Sequence, residues 1–264
     1  MRPRIYKSPY LSIARPLGGV ICLLVWAVVG FAGQTSRVVV RDDMRPAHKT
    51  ELLEKLRAIT GWRELSFDRN GFLVTGEVDS AGSESARALI ASAIHGNQLI
   101  VLEDATDRAD VAFCRVVPGR TTGSSVSPIP IFVVLIDFRD FQHVTGDARA
   151  RAAFDVGWGF LHELDHVVSQ SKDAENMSAA GECEDHINQM RRELGLPVRS
   201  TYFFSSLPVK TDPNFITRLV RLGFTESDPS HRRPKHYWLV WDAALVGGID
   251  ERSLTALIRS ADSK

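Results

Sequence analysis

The sequence predicts an α+β domain that follows an apolar N-terminal segment. Two stretches, 47–60 and 83–96, repeat apolar residues at helical spacing, and a glycine stops each of them. Three other stretches, 99–104, 111–117 and 129–138, are rich in β-branched and aromatic residues and are typical of strands. Helices and strands are both present, in segregated halves of the chain and without an internal repeat, which favours the α+β class.

The first 32 residues are predicted to be an export signal. A basic leader, MRPRIYKSPYLSIARP, is followed by the uncharged apolar run LGGVICLLVWAVVGFAG. Gly30 and Ala32 are small residues at the −3 and −1 positions of a cleavage site, which favours a cleaved signal peptide. An uncleaved membrane anchor through residues 17–33 is the alternative. Both alternatives predict an exported domain that is secreted, periplasmic or anchored to the membrane.

The composition predicts a globular protein that does not bind nucleic acid. Of the 264 residues, 44% are hydrophobic and 24% are charged, so a sizeable core is expected. The formal net charge is zero, and no basic stripe with interleaved aromatic residues is present, which excludes a typical nucleic-acid surface. Cys114 and Cys183 lie in the exported part, where a disulfide between them is an open alternative.

A loop rich in glycine, serine and proline, residues 118–128, divides the exported part. Before it, residues 62–78 predict a hairpin around the turn sequence DRNG. After it, residues 215–224 predict a helix near the end of the chain. We therefore assign residues 33–128 to an N-terminal α/β part, and residues 129–264 to a part that carries the candidate site and the C-terminal elements.

The stretch GWGFLHELDHVV, residues 157–168, carries the strongest functional signal and is predicted to be helical. Apolar residues recur around it at helical spacing, and Asp147 is a candidate N-cap upstream. Gly157 and Gly159 each weaken a helix by about 1 kcal/mol relative to alanine. Close packing of another backbone against this helix is therefore expected at the two glycines.

Three side chains of the sequence HELDH suit metal chemistry. His162 and His166 are four residues apart, so their rings lie about 40° apart around the helix and both can reach one ion. Glu163 lies about 100° around from His162, beside the ion. Zinc lowers the pKa of a bound water toward about 7, which makes Glu163 the expected general base. A pair of core histidines that bind no metal is the alternative.

A catalytic zinc site needs a third protein ligand, and a predicted helix over residues 181–194 supplies the candidates. Its first turns carry Glu182, Glu184, Asp185 and His186. The stretch between the two helices is long enough for the second helix to run back along the first. The third ligand is therefore expected on this helix.

These residues resemble the zincin metallopeptidases whose third ligand is a glutamate on a second helix. In that family a polar group four residues after the ligand glutamate hydrogen-bonds a ligand histidine, and Glu184 with Asn188 fits this pattern. Asn188 stands where the family usually has an aspartate, and Glu182 is the alternative ligand. The resemblance covers about residues 129–204 and includes zincin-like domains of secreted bacterial effector proteases and toxins.

The resemblance implies an exported zinc peptidase with a mixed sheet, in which Zn²⁺ is held by His162, His166 and Glu184. It implies that Glu163 is the general base and that the substrate is a peptide or a protein.

On the substrate side, the resemblance implies that an extended peptide binds along the edge formed by residues 129–138, the strand that precedes the helix. A hydrogen-bond donor that stabilises the oxyanion is expected farther along the chain. Tyr202 is the favoured donor, and His231, His236 and Tyr237 are the other candidates.

Two other functions are open alternatives. A non-catalytic exported domain could hold a metal on the same scaffold, and a fourth ligand from Asp185 or His186 would favour it. Glu163 favours catalysis, because a structural zinc site needs no base. A peptide deformylase also has an aspartate before the second histidine, but that family takes its third ligand from an upstream cysteine, which would be Cys114.

Overall fold

The structure is a computed structural model, and it describes residues 36–78, 81–124, 127–207, 218–227 and 233–247. These residues belong to one compact unit. The predicted export segment, residues 1–32, lies outside them, as does the predicted anchor at 17–33. Each helix in the described ranges is too short or too polar to cross a bilayer.

Helices and strands are mixed along the described chain, which is consistent with the predicted α+β class. The helices are α1 (Pro46–Thr60), α2 (Glu84–His95), α3 (Phe138–Gln142), α4 (Ala148–Ala152), α5 (Val156–Val168) and α6 (Glu182–Glu193). The strands are β1 (Val38–Val40), β2 (Ser66–Phe67), β3 (Leu73–Val74), β4 (Leu99–Asp104), β5 (Cys114–Pro118), β6 (Thr122–Ser124), β7 (Ser127–Ile129), β8 (Ile131–Ile136), β9 (Thr145–Gly146), β10 (Val198–Arg199), β11 (Ser205–Ser206), β12 (Leu219–Glu226) and β13 (Lys235–Asp242).

The first sheet has the strand order β1-β4-β8-β5. β1, β4 and β8 run parallel, and β5 pairs with β8 in the antiparallel direction. The strand predicted to form the substrate edge, β8, is therefore internal, and that prediction is wrong. Its continuous run of apolar residues, IFVVLI, suits a strand with a neighbour on each side. Among the described strands, β5 is the edge of the sheet on this side.

The helix with the HELDH sequence, α5, contacts β5 and β8 and also α1, α2 and α6. The Asp155 side chain caps it by accepting from the backbone N–H of Gly157 at 3.0 Å. The expected start of this helix at Asp147 is wrong, because Asp147 begins the separate helix α4. The Asp147 carboxylate instead accepts from Trp238 N in β13, at 2.7 Å.

Close packing explains the two glycines of α5, as predicted. The neighbouring atoms, however, belong to side chains and not to another backbone. A Cβ atom on Gly157 would lie 2.9 Å from Lys55 Cβ of α1. On Gly159 it would lie 2.8 Å from Phe141 Cζ and 2.9 Å from Cys114 Sγ. Glycine at these positions lets α1 and β5 approach α5 closely.

The second sheet has the order β10-β12-β13-β9, and β11 also pairs with β12. The prediction of a helix over residues 215–224 is wrong for its described part, because residues from Leu219 onward form β12. Val220, Leu222 and Phe224 are buried at every second position, the period of a strand. Pairing with β13 along its length fixes the strand conformation.

Candidate metal centre

Four side chains with metal-binding atoms meet beside α5, namely His162, His166, Asp173 and Cys183. One such atom from each of them lies within 4.8 Å of the others. Asp173 Oδ1 is 3.1 Å from His162 Nε2 and 3.3 Å from His166 Nε2. Donors held about 2.1 Å from a tetrahedral ion are about 3.4 Å apart. The two histidines and Asp173 are therefore spaced to hold one ion.

His166 is oriented by a hydrogen bond on the side away from the cluster. Its Nδ1 donates to Ser171 O at 2.9 Å, which leaves Nε2 to face Asp173. The hydrogen bond to Asp173 raises the pKa of His166 to about 11. A metal ion at Nε2 would require the neutral ring, so its binding would compete with the proton that Asp173 favours.

His162 is buried and lies between two sets of neighbours. Its Nε2 faces Asp173, whereas its Nδ1 is 3.4 Å from Cys183 Sγ and 3.4 Å from Glu184 Oε2. Burial lowers the pKa of His162, but the contacts with these three neighbours outweigh it and raise the pKa well above its ordinary value. Glu184 is placed to accept Nδ1–H of a metal-binding His162, an arrangement common at zinc sites.

Glu184, the predicted third ligand, is not part of the four-residue cluster. It is buried, and its carboxylate pairs with Arg191 and with Arg199, the latter at 3.0 Å. Burial raises the pKa of Glu184, but the two guanidinium groups hold it well below its usual range. The structure therefore brings Asp173, and not Glu184, to the Nε2 atoms of the two histidines.

Asp173 belongs to the segment after α5, for which the sequence predicts only a connection between two helices. Asp165, inside HELDH, organises this segment by accepting from the hydroxyls of Ser169 and Ser171, at 2.7 and 2.6 Å. It also accepts from His186 Nδ1 at 2.9 Å, so this predicted ligand candidate is engaged outside the cluster. Serine hydroxyls that hydrogen-bond a nearby side chain favour a turn. Ser169 and Ser171 therefore help to turn the chain so that Asp173 comes back to the two histidines.

Tyr202, the predicted oxyanion donor, does lie at the centre. Its hydroxyl donates to Asp173 Oδ2 at 2.9 Å, and its ring stacks on His162 with the centroids 5.9 Å apart. Burial and the neighbouring Asp173 raise the pKa of Tyr202 well above its ordinary value, so the phenol stays protonated. Through this hydrogen bond, Tyr202 orients the carboxylate of Asp173.

The other predicted donors are not brought to the centre. His236 is exposed on β13, and Tyr237 donates to Glu226 Oε2 at 2.9 Å. His231 lies outside the described residues. On α6, the ligand candidates Glu182 and Asp185 are exposed.

Asn188 does not make the predicted hydrogen bond to a ligand histidine. Its Oδ1 accepts from Arg199 N at 2.8 Å and from Arg191 Nη1 at 2.9 Å. Its Nδ2 donates to Arg199 O at 2.9 Å. Asn188 therefore supports the two arginines that hold Glu184, rather than the cluster itself.

Glu163 is buried beside the cluster without belonging to it. Its Oε2 accepts from Val116 N of the edge strand β5 at 2.8 Å. Burial raises the pKa of the Glu163 carboxyl above its ordinary value. A raised pKa suits a carboxyl group that both takes up and releases a proton near neutral pH.

A cavity of about 180 Å³ adjoins Glu163 and His162. Cys114 also lines it and is a free thiol, as is Cys183, so the two do not form a disulfide. Cys114 is absent from the four-residue cluster of the described chain, which removes the ligand that a deformylase would need.

Replacing Arg191 by methionine is expected to destabilise the fold by about 3–5 kcal/mol, because Glu184 would keep its buried charge with one guanidinium fewer. The loss is measured as a change in the free energy of unfolding in urea. Arg192→Met, at the exposed neighbour, is the control and should change that free energy by less than about 0.5 kcal/mol. Equal effects of the two substitutions would contradict this account of the Glu184 pair.

Comparison with known protein families, curated proteins and solved structures found no match. The centre combines three donor atoms spaced for one ion, a buried carboxyl group beside them, and a cavity that adjoins His162 and this carboxyl group.

Proposed function

We propose that this protein is an exported zinc-dependent peptidase of the zincin type, with the ion held by His162, His166 and Asp173. The observation that supports it most is the position of Glu163, buried next to three convergent donors without being one of them. Two imidazoles and one carboxylate are a usual ligand set of catalytic zinc. They suit zinc better than calcium or magnesium, which prefer oxygen ligands throughout.

The residues of the centre have separable roles in peptide hydrolysis. Zinc, when bound, would polarise the scissile carbonyl and lower the pKa of a water molecule. Glu163 takes the proton of the attacking water on its carboxylate and passes it to the leaving amine. Val116 N–H holds Glu163 Oε2 in place. The Tyr202 hydroxyl holds Asp173 Oδ2, so that Oδ1 stays directed at the histidines.

A peptide or protein substrate is favoured by the position of β5. This strand pairs with β8 on one side only in the described sheet, and an extended peptide can add to such an edge through main-chain hydrogen bonds. The same strand contacts the candidate base through Val116. A peptide bond on this edge would therefore lie close to Glu163.

Export is proposed from the N-terminal sequence alone. The basic leader and the apolar run within residues 1–33 support secretion or periplasmic release after cleavage, or retention at the membrane through residues 17–33.

Cys183 supports a second candidate function, a non-catalytic metal-binding domain on the same scaffold. Its Sγ is close enough to the other donors to act as a fourth ligand, and structural zinc sites are closed by four ligands. The buried Glu163 favours the catalytic alternative, because a closed structural site needs no base beside it.

Removal of the metal tests the proposed function. The full-length chain treated with a zinc chelator is expected to lose cleavage of a mixed peptide library, because Glu163 alone does not activate water at a useful rate. One equivalent of Zn²⁺ should restore cleavage, and Mg²⁺ should not. Mass spectrometry of the peptides gives the rates. Unchanged cleavage by folded, metal-free protein would disprove the proposal.

A further inference from the structure

The backbone groups of β5 point alternately toward β8 and toward the free edge of the sheet. In an antiparallel pair, every second residue directs both its N–H and its C=O toward the partner strand. Gly119 N, directly after β5, donates to Ile131 O of β8 at 2.8 Å, so the odd-numbered residues of this stretch face β8. The even-numbered residues Cys114, Val116 and Pro118 therefore direct their backbone groups to the free edge.

This edge offers more hydrogen-bond acceptors than donors. Val116 N–H points away from β8, as the alternation requires, but it already donates to Glu163 Oε2 at 2.8 Å. Pro118 has no backbone N–H. In the described chain, Cys114 is therefore the one residue of the three with an N–H left to donate, whereas each of the three has a carbonyl oxygen on this side.

The shortage of donors restricts which chains can add to the edge. Proline in an edge strand discourages pairing with other chains, and the exposed Pro118 fits that role. Val116 differs, because the acceptor that engages its N–H is the candidate base itself. An extended chain beside these two residues finds an acceptor for its N–H at both positions and a donor for its C=O at neither. The edge therefore depends on the N–H groups of its partner.

We propose that β5 selects its substrate through the main-chain donors of the peptide, with alternate peptide residues donating N–H to the carbonyl oxygens of Val116 and Pro118. A peptide with proline at one of these two positions lacks the donor and is cleaved more slowly. The peptide residue between them directs its N–H away from β5, so proline is tolerated there. This selection rests on the proposed function, because it concerns the substrate of the same site.

A scan with N-methylated peptides tests the selection. The parent is the peptide that the zinc-loaded, full-length protein cleaves fastest from the mixed library, and each variant carries one N-methyl group outside the scissile bond. We expect methylation of every second nitrogen along the bound segment to lower the cleavage rate about 2- to 10-fold, the difference that one hydrogen bond makes. Methylation of the nitrogens between them should change the rate little. Mass spectrometry gives the rates.

Replacing Pro118 by alanine adds an N–H to the free edge and tests the role of this residue. Cleavage of the parent peptide at low concentration is expected to rise about 2- to 10-fold, because the new donor pairs with a substrate carbonyl. Pro128→Ala, at an exposed proline of β7, is the matched control and should leave the rate unchanged. An unchanged rate in folded Pro118→Ala would contradict the role of Pro118.

The scan on the wild-type protein decides the proposal whether or not Pro118→Ala folds. Rates that fall equally at every methylated nitrogen, or at none, would overturn the selection and leave the peptidase standing. Absence of cleavage of every library peptide by the zinc-loaded chain would overturn the peptidase, and this mode of substrate recognition with it. The two failures are therefore distinguishable.

Discussion

Asp173→Ala is expected to release the zinc ion, with the affinity falling more than about 100-fold. Loss of a group that merely hydrogen-bonds a ligand costs about 10–100-fold, and Asp173 is proposed to be a ligand itself. Its Oδ1 lies 3.1 Å from His162 Nε2 and 3.3 Å from His166 Nε2, and Asp173 is the one carboxylate of the four-residue cluster in the described chain. Competition with a chromophoric chelator measures the affinity of the full-length protein.

Two further variants separate the role of Asp173 from that of its neighbours. Asp185→Ala, at an exposed carboxylate of α6, should leave zinc affinity unchanged. Glu184→Gln should weaken binding by about 10–100-fold, because it removes the carboxylate beside His162 Nδ1. Loss of zinc in Glu184→Gln together with full binding in Asp173→Ala would reinstate Glu184 as the ligand.

Glu163→Gln is expected to keep the zinc ion and to lower the rate of peptide cleavage by about 10²–10⁴, the range that general acid–base catalysis contributes. Glutamine keeps the shape of the side chain and an oxygen that can accept from Val116 N–H, but it takes up no proton near neutral pH. Metal content and the rate of cleavage are measured on the same preparation.

Glu182→Gln is the matched control for the base, because Glu182 is an exposed acid at the start of α6. Its cleavage rate should equal that of the wild-type chain. If Glu163→Gln cleaves within tenfold of the wild-type rate while holding one zinc, another group must accept the proton.

Local signals in the sequence predicted several elements correctly. The helices α1, α2 and α6 follow from their helical spacing and from the residues that stop them. The hairpin of β2 and β3 follows from DRNG, in which Gly71 has a φ of 80°. The three residues of HELDH proposed for metal chemistry lie together because the helix under them is regular. These features depend on neighbours in sequence, which is why a pattern reveals them.

The third donor could not be predicted in the same way. Asp173 reaches the histidines because Asp165 and two serines bend the chain directly after α5. Glu184 fits a spacing rule, but its carboxylate is occupied by Arg191, two turns along α6, and by Arg199 from the segment after the helix. The position of β5 at the sheet edge depends on strand order. The period of a helix or a strand encodes neither the side-chain hydrogen bonds of an irregular turn nor the pairing of distant strands.

X-ray absorption at the zinc edge of the zinc-loaded, full-length protein tests whether His162, His166 and Asp173 hold the ion, because it reports which atoms surround the ion. The predicted result is a shell of nitrogen and oxygen at about 2.0–2.1 Å, with scattering from two imidazole rings and no sulfur. A sulfur atom at about 2.3 Å would contradict it, since Cys183 would then close the centre and make it structural.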